Sequence, residues 1–383
     1  MPMPKTDALK VLITGAEGFI GKNLCLRLSE RMDVEIVRFG SGDDPARLPA
    51  LLDGVQFVFH LAGVNRPQDP ADFVAGNSTL TARLCEAAAA TAARTGWPLP
   101  VVLTSSTQAE RDNPYGLSKR AAEHSVFAAS QQGSIRAHVF RLPNVFGKWC
   151  RPNYNSAVAT FCYNIARDLP IQVNDPAAAL TLVYVDDVVE RFIELMDGAD
   201  AARNAAGFEQ IAPQYTTTVG AVAALIRSFR ESRTTLTTER VGGGLIRALY
   251  STYVSYLPVE SFAYPLPLHT DPRGTFVEML KTPDSGQFSY FTAHPGVTRG
   301  GHYHHSKTEK FLVIKGKARF KFRHMGSGEC HELVTHGAKA EVVETVPGWT
   351  HDITNIGDDE MVVMLWANEI FDHTRPDTYA CPL

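Results

Sequence analysis

The chain has 383 residues, of which 44% are hydrophobic and 20% charged, and a formal net charge of −4. At roughly 150 residues per domain that length suggests two domains, and the ordinary, nearly neutral composition gives no basis for nucleic-acid or membrane binding, so small molecules are the expected partners. The six cysteines, Cys25, Cys85, Cys150, Cys162, Cys330 and Cys381, lack CxxC spacing in a chain large enough to fold without staples, and read as reduced thiols of a cytoplasmic protein. No leader-like stretch precedes the first strand, and no apolar run approaches the roughly 20 residues that span a bilayer.

Lys10 to Thr14 reads as a short apolar strand running into Gly15-Ala-Glu-Gly18-Phe19-Ile20-Gly21, with a helix from Lys22 to Ser29. Strand, glycine turn and helix in that order let the backbone close on a pyrophosphate, whose charge is favoured by free N–H groups at a helix start. Gly15, Gly18, Phe19, Ile20 and Gly21 are therefore assigned to a dinucleotide site. The second strand, Val34 to Phe39, should end at the cofactor ribose, where a carboxylate would take a 2′-hydroxyl. Arg38 stands there instead. A guanidinium pairs in a fork with a 2′-phosphate, which favours NADPH; Asp43 and Asp44 keep NAD as the alternative. The strand from Phe57 to Leu61 leads through His60-Leu-Ala62-Gly63, placing His60 and Ala62 in the cofactor set, and the alanine-rich run Leu80 to Ala93 reads as a helix. This alternation of strand and helix is that of a parallel sheet.

Val101 to Leu103 forms a further strand ending in Thr104-Ser105-Ser106-Thr107, and Tyr115-Gly-Leu-Ser-Lys119 follows. Residues four apart stack on one helical face, so an ammonium can sit below a phenol and lower its pKa from near 10. Such a phenol can hand a proton to a carbonyl oxygen as hydride reaches the carbon, while a hydroxyl on the strand end holds that oxygen. The G-x-x-G-x-x-G turn, the hydroxyl-rich strand end, the Tyr–Lys pair and Tyr184-Val-Asp-Asp187-Val together resemble the extended short-chain dehydrogenases/reductases. That resemblance implies a doubly wound α/β Rossmann domain in which Tyr115 is the general acid and Lys119 tunes it and anchors the nicotinamide ribose. Ser106 would bond the carbonyl, with Ser105 and Thr107 as alternatives. Arg141-Leu-Pro-Asn-Val-Phe-Gly147 is similar to the loop that opens the sugar-nucleotide pocket of that subfamily. It makes Asn144 a substrate contact, with Lys148 and Arg151 as cations for a diphosphate.

Ala157 to Asp168 and Phe192 to Met196 read as helices. Thr234 to Gly244 is threonine-rich and ends in Gly242-Gly-Gly244, a flexible joint, so the expected organisation is a reductase domain over 1–241, a connecting segment with a tyrosine-rich helix over 242–261, and a second domain over 262–383. From Asp271 onward short strands alternate with glycine and proline turns, as an all-β barrel or double sheet requires. Arg299 to Gly316 carries His302, His304, His305 and Glu309. Alternate residues of a strand face one way, so His302 and His304 aim at one point. With Glu309 and with His351, which follows Pro347-Gly348, they make a divalent metal site, zinc first, with nickel, iron and manganese also suited; His305 competes for the place of His304. The HxH pair with Glu309 and Gly316, then a turn leading to His351 and Asn355, resembles the two motifs of the cupin β-barrel superfamily, the second being one residue short of P-x-G-x-x-H.

Over essentially the whole length, the glycine turn, Tyr115 to Lys119, Leu257-Pro258 and Arg299 to Gly316 resemble the bifunctional epimerase-reductase family of UDP-N-acetyl-L-fucosamine (capsule and O-antigen) biosynthesis, often called CapF. The resemblance implies a UDP-sugar substrate, a 2-acetamido-2,6-dideoxy-4-hexulose. The cupin inverts its carbon 3, and the reductase domain then uses NADPH to give the L-talose product, in a cytoplasmic homodimer. Tyr303, His305, Lys307 and Asp352 are the candidate proton-transfer groups of the cupin. A structural or dimerising cupin, or an iron oxygenase, is the competing reading.

Overall fold

The structure, a computed structural model, describes residues 8–383 apart from Ser306, Gly326 and Arg375. By packing, the chain divides into two units. The first comprises the residues up to Ala224 with Ser251–Tyr256, and the second Leu225–Tyr250 with Leu257–Leu383.

In the first unit, β1 (Leu9–Thr14), α1 (Phe19–Ser29), β2 (Val34–Phe39), the short α2 (Leu48–Leu51) and β3 (Phe57–His60) are followed by α3 (Ala71–Phe73) and α4 (Leu80–Thr95). Then come β4 (Leu99–Ser106), α5 (Pro114–Gln131), β5 (Ile135–Leu142), β6 (Asn144–Phe146), α6 (Ala157–Ile165), β7 (Ala179–Tyr184), α7 (Val185–Met196) and β8 (Tyr215–Thr218). Helix α8 (Val219–Thr235) crosses the division, and α9 (Gly244–Ser255) contributes its end to the first unit. Five strands form a parallel sheet in the order β2-β1-β3-β4-β5. Its interior strands are near-continuous apolar runs, as in Val11-Leu12-Ile13 and Val101-Val102-Leu103, because helices cover both faces. All five strands end on the same edge, at Thr14, Phe39, His60, Ser106 and Leu142, the edge at which α/β sheets bind their ligands. β6, β7 and β8 make a separate three-stranded sheet.

Helix α7 begins at Val185 rather than near Phe192, because Asp186 and Asp187 lie in its first turn and favour the positive helix end. Between α3 and α4 the chain takes a π-helical course over Val74–Thr79, which no periodicity in the sequence announces. No helix among the described residues is long and apolar enough to cross a membrane.

The second unit is an antiparallel double sheet. One sheet runs β16-β13-β18-β11-β10-β9 and the other β15-β14-β17-β12-β19. The strands are β9 (His269–Asp271), β10 (Gly274–Thr282), β11 (Gly286–Ala293), β12 (Thr298–Tyr303), β13 (Glu309–Lys315), β14 (Lys317–His324), β15 (Cys330–His336), β16 (Val342–Glu344), β17 (Trp349–Asn355), β18 (Met361–Ala367) and β19 (Tyr379–Ala380). Alternate residues of both sheets, among them Phe291, Phe311, Val313, Phe320, Phe322, Ile353 and Val363, fill the space between them. His351 replaces a core residue on that inner face, with Phe311 and Phe322 rings each 6.4 Å from its own.

Candidate functional site

Both units bring together polar groups that could serve a ligand. In the first, the glycine turn is forced by close approach: Gly15 has φ +68°, a Cβ on it would lie 2.7 Å from Ala62 N, and one on Gly21 would lie 2.1 Å from Gly15 O. Gly18 is the N-cap of α1 with no side-chain cap, and no acid occupies the first turn, so the amides of Phe19, Ile20 and Gly21 open an uncapped, positive helix end suited to a pyrophosphate. Arg38 lies exposed on β2, with no hydrogen bond or ion pair among the described residues. Asp43 is engaged by Gly40 N and Arg47, and Asp44 accepts from Ala46 N. His60 does not open to the crevice. Its ring is fully buried between Thr14 Oγ1 at 2.7 Å and Thr81 Oγ1 at 2.8 Å, and burial pushes its pKa down to about 3.

Helix α5 starts sharply. Asn113 caps it by accepting Gly116 N at 2.8 Å, Pro114 fills the first position, and Gly116 is packed so closely that a Cβ would meet Arg111 O at 2.3 Å. That start fixes Tyr115 in the first turn and Lys119 one turn on. Tyr115 packs on Phe73, and the Ser106 hydroxyl, which accepts from Gln108 N at 3.2 Å, stands near its phenol. The sequence leads one to expect a lowered phenol pKa. The structure raises it, because burial outweighs the lowering effect of the nearby Ser106 hydroxyl; Lys119 Nζ turns to Thr104 O at 3.1 Å. Burial lowers Lys119 itself to about 8, opposed by the charge of Glu123. Ser105 is unavailable as the third hydroxyl, since its Oγ donates to Glu123 Oε1 at 2.5 Å, and Thr107 is exposed. Asn77, in the π-helical turn, bonds both Val64 N and Val64 O and donates to Ser118 Oγ at 2.9 Å. It stands beside the Tyr–Lys pair without any sequence signal. Glu123 did have one, its four-residue spacing from Lys119.

The expected diphosphate cations are placed differently. Lys148 is ion-paired with Asp186, Arg151 lies over the Tyr154 ring at 4.9 Å, and Asn144 is exposed on β6 with its Nδ2 donating to Thr181 O. Of the two cations, only Arg151 is without an acidic partner among the described residues.

In the second unit, His302, His304, Glu309 and His351 each offer a ligand atom, and these atoms all lie within 4.8 Å of one another. His304 Nε2 is 3.2 Å and His351 Nε2 3.4 Å from Glu309 Oε2. His304 Nδ1 is 2.6 Å from Asp377 O, and donating to that carbonyl leaves Nε2 its lone pair. Neither ring nitrogen of the buried His351 makes a hydrogen bond, an orphaned state that a bound cation resolves. Burial holds His302 down at about 4, so it stays neutral and ligating. Burial alone would raise Glu309, but the adjacent imidazoles of His304 and His351 and the charge of Lys307 hold it well below the usual carboxylate range. Three imidazoles and a carboxylate converging in this way fit a divalent transition metal.

His305 stays outside the cluster. Its N–H donates to the Asp377 carboxylate, and its ring packs with Tyr303 and Tyr379 at the rim. Of the proton-transfer candidates, Asp352 neighbours His351 on β17 and so points to the opposite sheet face, opposite Lys321. Lys307 is buried, with Nζ 3.8 Å from Glu309 Oε1. Asp377, on the C-terminal tail, also accepts from Lys307 N, a tether with no motif behind it.

The fold and these two sites define a dinucleotide-binding unit of the extended short-chain type followed by an antiparallel double-sheet unit. The family model described as NAD dependent epimerase/dehydratase matches residues 11–207, and the polysaccharide biosynthesis C-terminal domain matches 269–379. The chain is 62% identical over 373 residues to a UDP-2-acetamido-2,6-beta-L-arabino-hexul-4-ose reductase of Pseudomonas aeruginosa, covering 97% of this chain and 98% of that one. The crystal structure of the capsular polysaccharide assembling protein CapF from Staphylococcus aureus superposes with a TM-score of 0.87 at 41% identity, covering 97% of this chain and 100% of that one. UDP-glucuronic acid 4-epimerase from Bacillus cereus shares the fold, with a TM-score of 0.53 at 17% identity over 65% of this chain and 98% of that one. The chain belongs to the NAD dependent epimerase/dehydratase family, in the branch with a polysaccharide biosynthesis C-terminal domain that includes CapF.

Gly21→Ala forces a Cβ against Gly15 O and is expected to abolish binding of a nicotinamide dinucleotide in a fluorescence titration. Retained affinity would show that the turn does not seat the pyrophosphate.

Proposed function

We propose that the chain is a bifunctional nucleotide-sugar enzyme. The second unit, a cupin metal centre, inverts carbon 3 of a UDP-2-acetamido-2,6-dideoxy-4-hexulose, and the first unit reduces the 4-keto group with NADPH to UDP-2-acetamido-2,6-dideoxy-L-talose, a precursor of UDP-N-acetyl-L-fucosamine. The observation that carries the reductase half is the buried Lys119 one turn from Tyr115, with Ser106 at the phenol. The name of the 62% identical relative supports the keto-sugar substrate. The exposed Arg38, with no hydrogen bond or ion pair among the described residues, and two following aspartates already engaged support NADPH over NADH.

When bound, NADPH supplies the hydride. Tyr115 donates its phenolic proton to the carbon 4 oxygen, the Ser106 hydroxyl orients that oxygen, and the Lys119 ammonium offsets the phenolate left behind. In the second unit, His302, His304, Glu309 and His351 would hold a divalent metal, zinc by preference, which supplies Lewis-acid stabilisation of a carbon 4 oxyanion. Lys307 stands 3.8 Å from Glu309 as a further fixed cation. The hydrogen on carbon 3 is acidic only while carbon 4 is a ketone, because its carbanion is stabilised as an enolate. Inversion must therefore precede reduction.

Tyr115→Phe is expected to lower NADPH oxidation on the keto sugar by about 10²–10⁴-fold without altering bound metal, and the wild-type rate should fall as pH rises through about 8, where Lys119 loses its proton. Full reduction by the Phe variant would remove Tyr115 as the acid. His351→Ala is expected to lose the metal, measured by elemental analysis, together with exchange of the carbon 3 hydrogen into solvent, while sparing reduction of a pre-epimerised sugar. Exchange that persists without metal would remove the metal from the inversion, and a wild-type protein that exchanges no carbon 3 hydrogen would leave the double sheet a structural module.

A further inference from the structure

Glu123 lies one helical turn beyond Lys119 and is 2% exposed, a place where a carboxylate persists only with partners. It has three hydrogen bonds from two strands. Oε1 accepts Ser105 Oγ at 2.5 Å and Arg141 Nε at 2.9 Å, and Oε2 accepts Arg141 Nη2 at 2.7 Å. Ser105 and Arg141 stand opposite each other in the β4–β5 register, so one carboxylate ties α5 to both strands next to the crevice. Arg141 is held in turn by Glu110 at 3.2 Å and by the face of the Phe208 ring at 3.9 Å.

Two consequences meet at Tyr115. With the Ser105 hydroxyl turned to Glu123, the pleat presents the next residue, Ser106, on the other side, toward the phenol. Lys119 packs against β3 and β4, which offer it Thr104 O and the neutral His60 ring. On its own helix Glu123 stands one turn along, with no ion pair to Lys119 among the described residues, and Arg141 on β5 holds that same carboxylate.

We propose that Glu123 is a positioning residue of the reductase site: its clamped carboxylate sets the end of β4, so that Ser106 rather than Ser105 meets Tyr115, and supplies the negative charge that keeps buried Lys119 a cation. The inference rests on the reductase reading of this site.

The test is the pH profile of kcat for keto-sugar reduction. Glu123→Gln is expected to move the basic limb about one unit or more to lower pH, with Glu123→Asp restoring most of the shift. Arg141→Met frees the carboxylate for Lys119 and is expected to move the limb the opposite way. Thermal melts identify which variants fold. A purely structural role lowers stability and leaves the limb where it is. An unmoved limb in Glu123→Gln, or in Arg141→Met should the first variant not fold, overturns the proposal. A wild-type protein that reduces no 4-keto sugar defeats the reductase reading instead, which is a separate outcome.

Discussion

Keeping a lysine buried as a cation is the constraint on which the first unit's chemistry depends. Desolvation alone drives the proton off an ammonium, and Lys119 is buried, 7% exposed. Its pKa falls only to about 8 because the Glu123 charge opposes the desolvation, and Thr104 O accepts from it. The helix start holds this in register. Asn113, Pro114 and the close-packed Gly116 leave α5 no freedom to slide, so Tyr115, Lys119 and Glu123 stand in successive turns along one face. A shift of one residue would turn all three away together.

The second unit has a related problem, that of holding polar ligating groups inside an apolar interior. Its inner face is a ring-rich core, and His351 is built into it with two orphaned nitrogens. His304 is oriented from outside by Asp377, and Glu309 takes its charge from the histidines and Lys307 around it. Such pre-ordered ligands keep the reorganisation on metal binding small. Both units would act on one functional group, the ketone: the first by protonating its oxygen, the second by stabilising the same oxygen as an enolate.

Patterns of short range were legible in the sequence. The glycine spacing, the Tyr–Lys interval and the HxH pair each encode a turn, a helical face or a strand face, and the parallel sheet and antiparallel double sheet follow from the same periodicities. What could not be read is decided by distant partners. Lys148 is claimed by Asp186 and Ser105 by Glu123, both through contacts far apart in the chain. His60, at a strand end where a cofactor contact is expected, is instead drawn inward by two threonines, one of them from α4. Asn77 depends on a π-helical turn, and Asp377 on a tail returning beside β12, neither of which has a compositional mark.

The central claim is that one chain performs inversion at carbon 3 and then reduction at carbon 4 of the same sugar. The most direct measurement is nuclear magnetic resonance of the product formed by the intact wild-type protein in heavy water with unlabelled NADPH. The account predicts a single L-talo product carrying deuterium at carbon 3 and protium at carbon 4. A reduced product that retains protium at carbon 3 would contradict it.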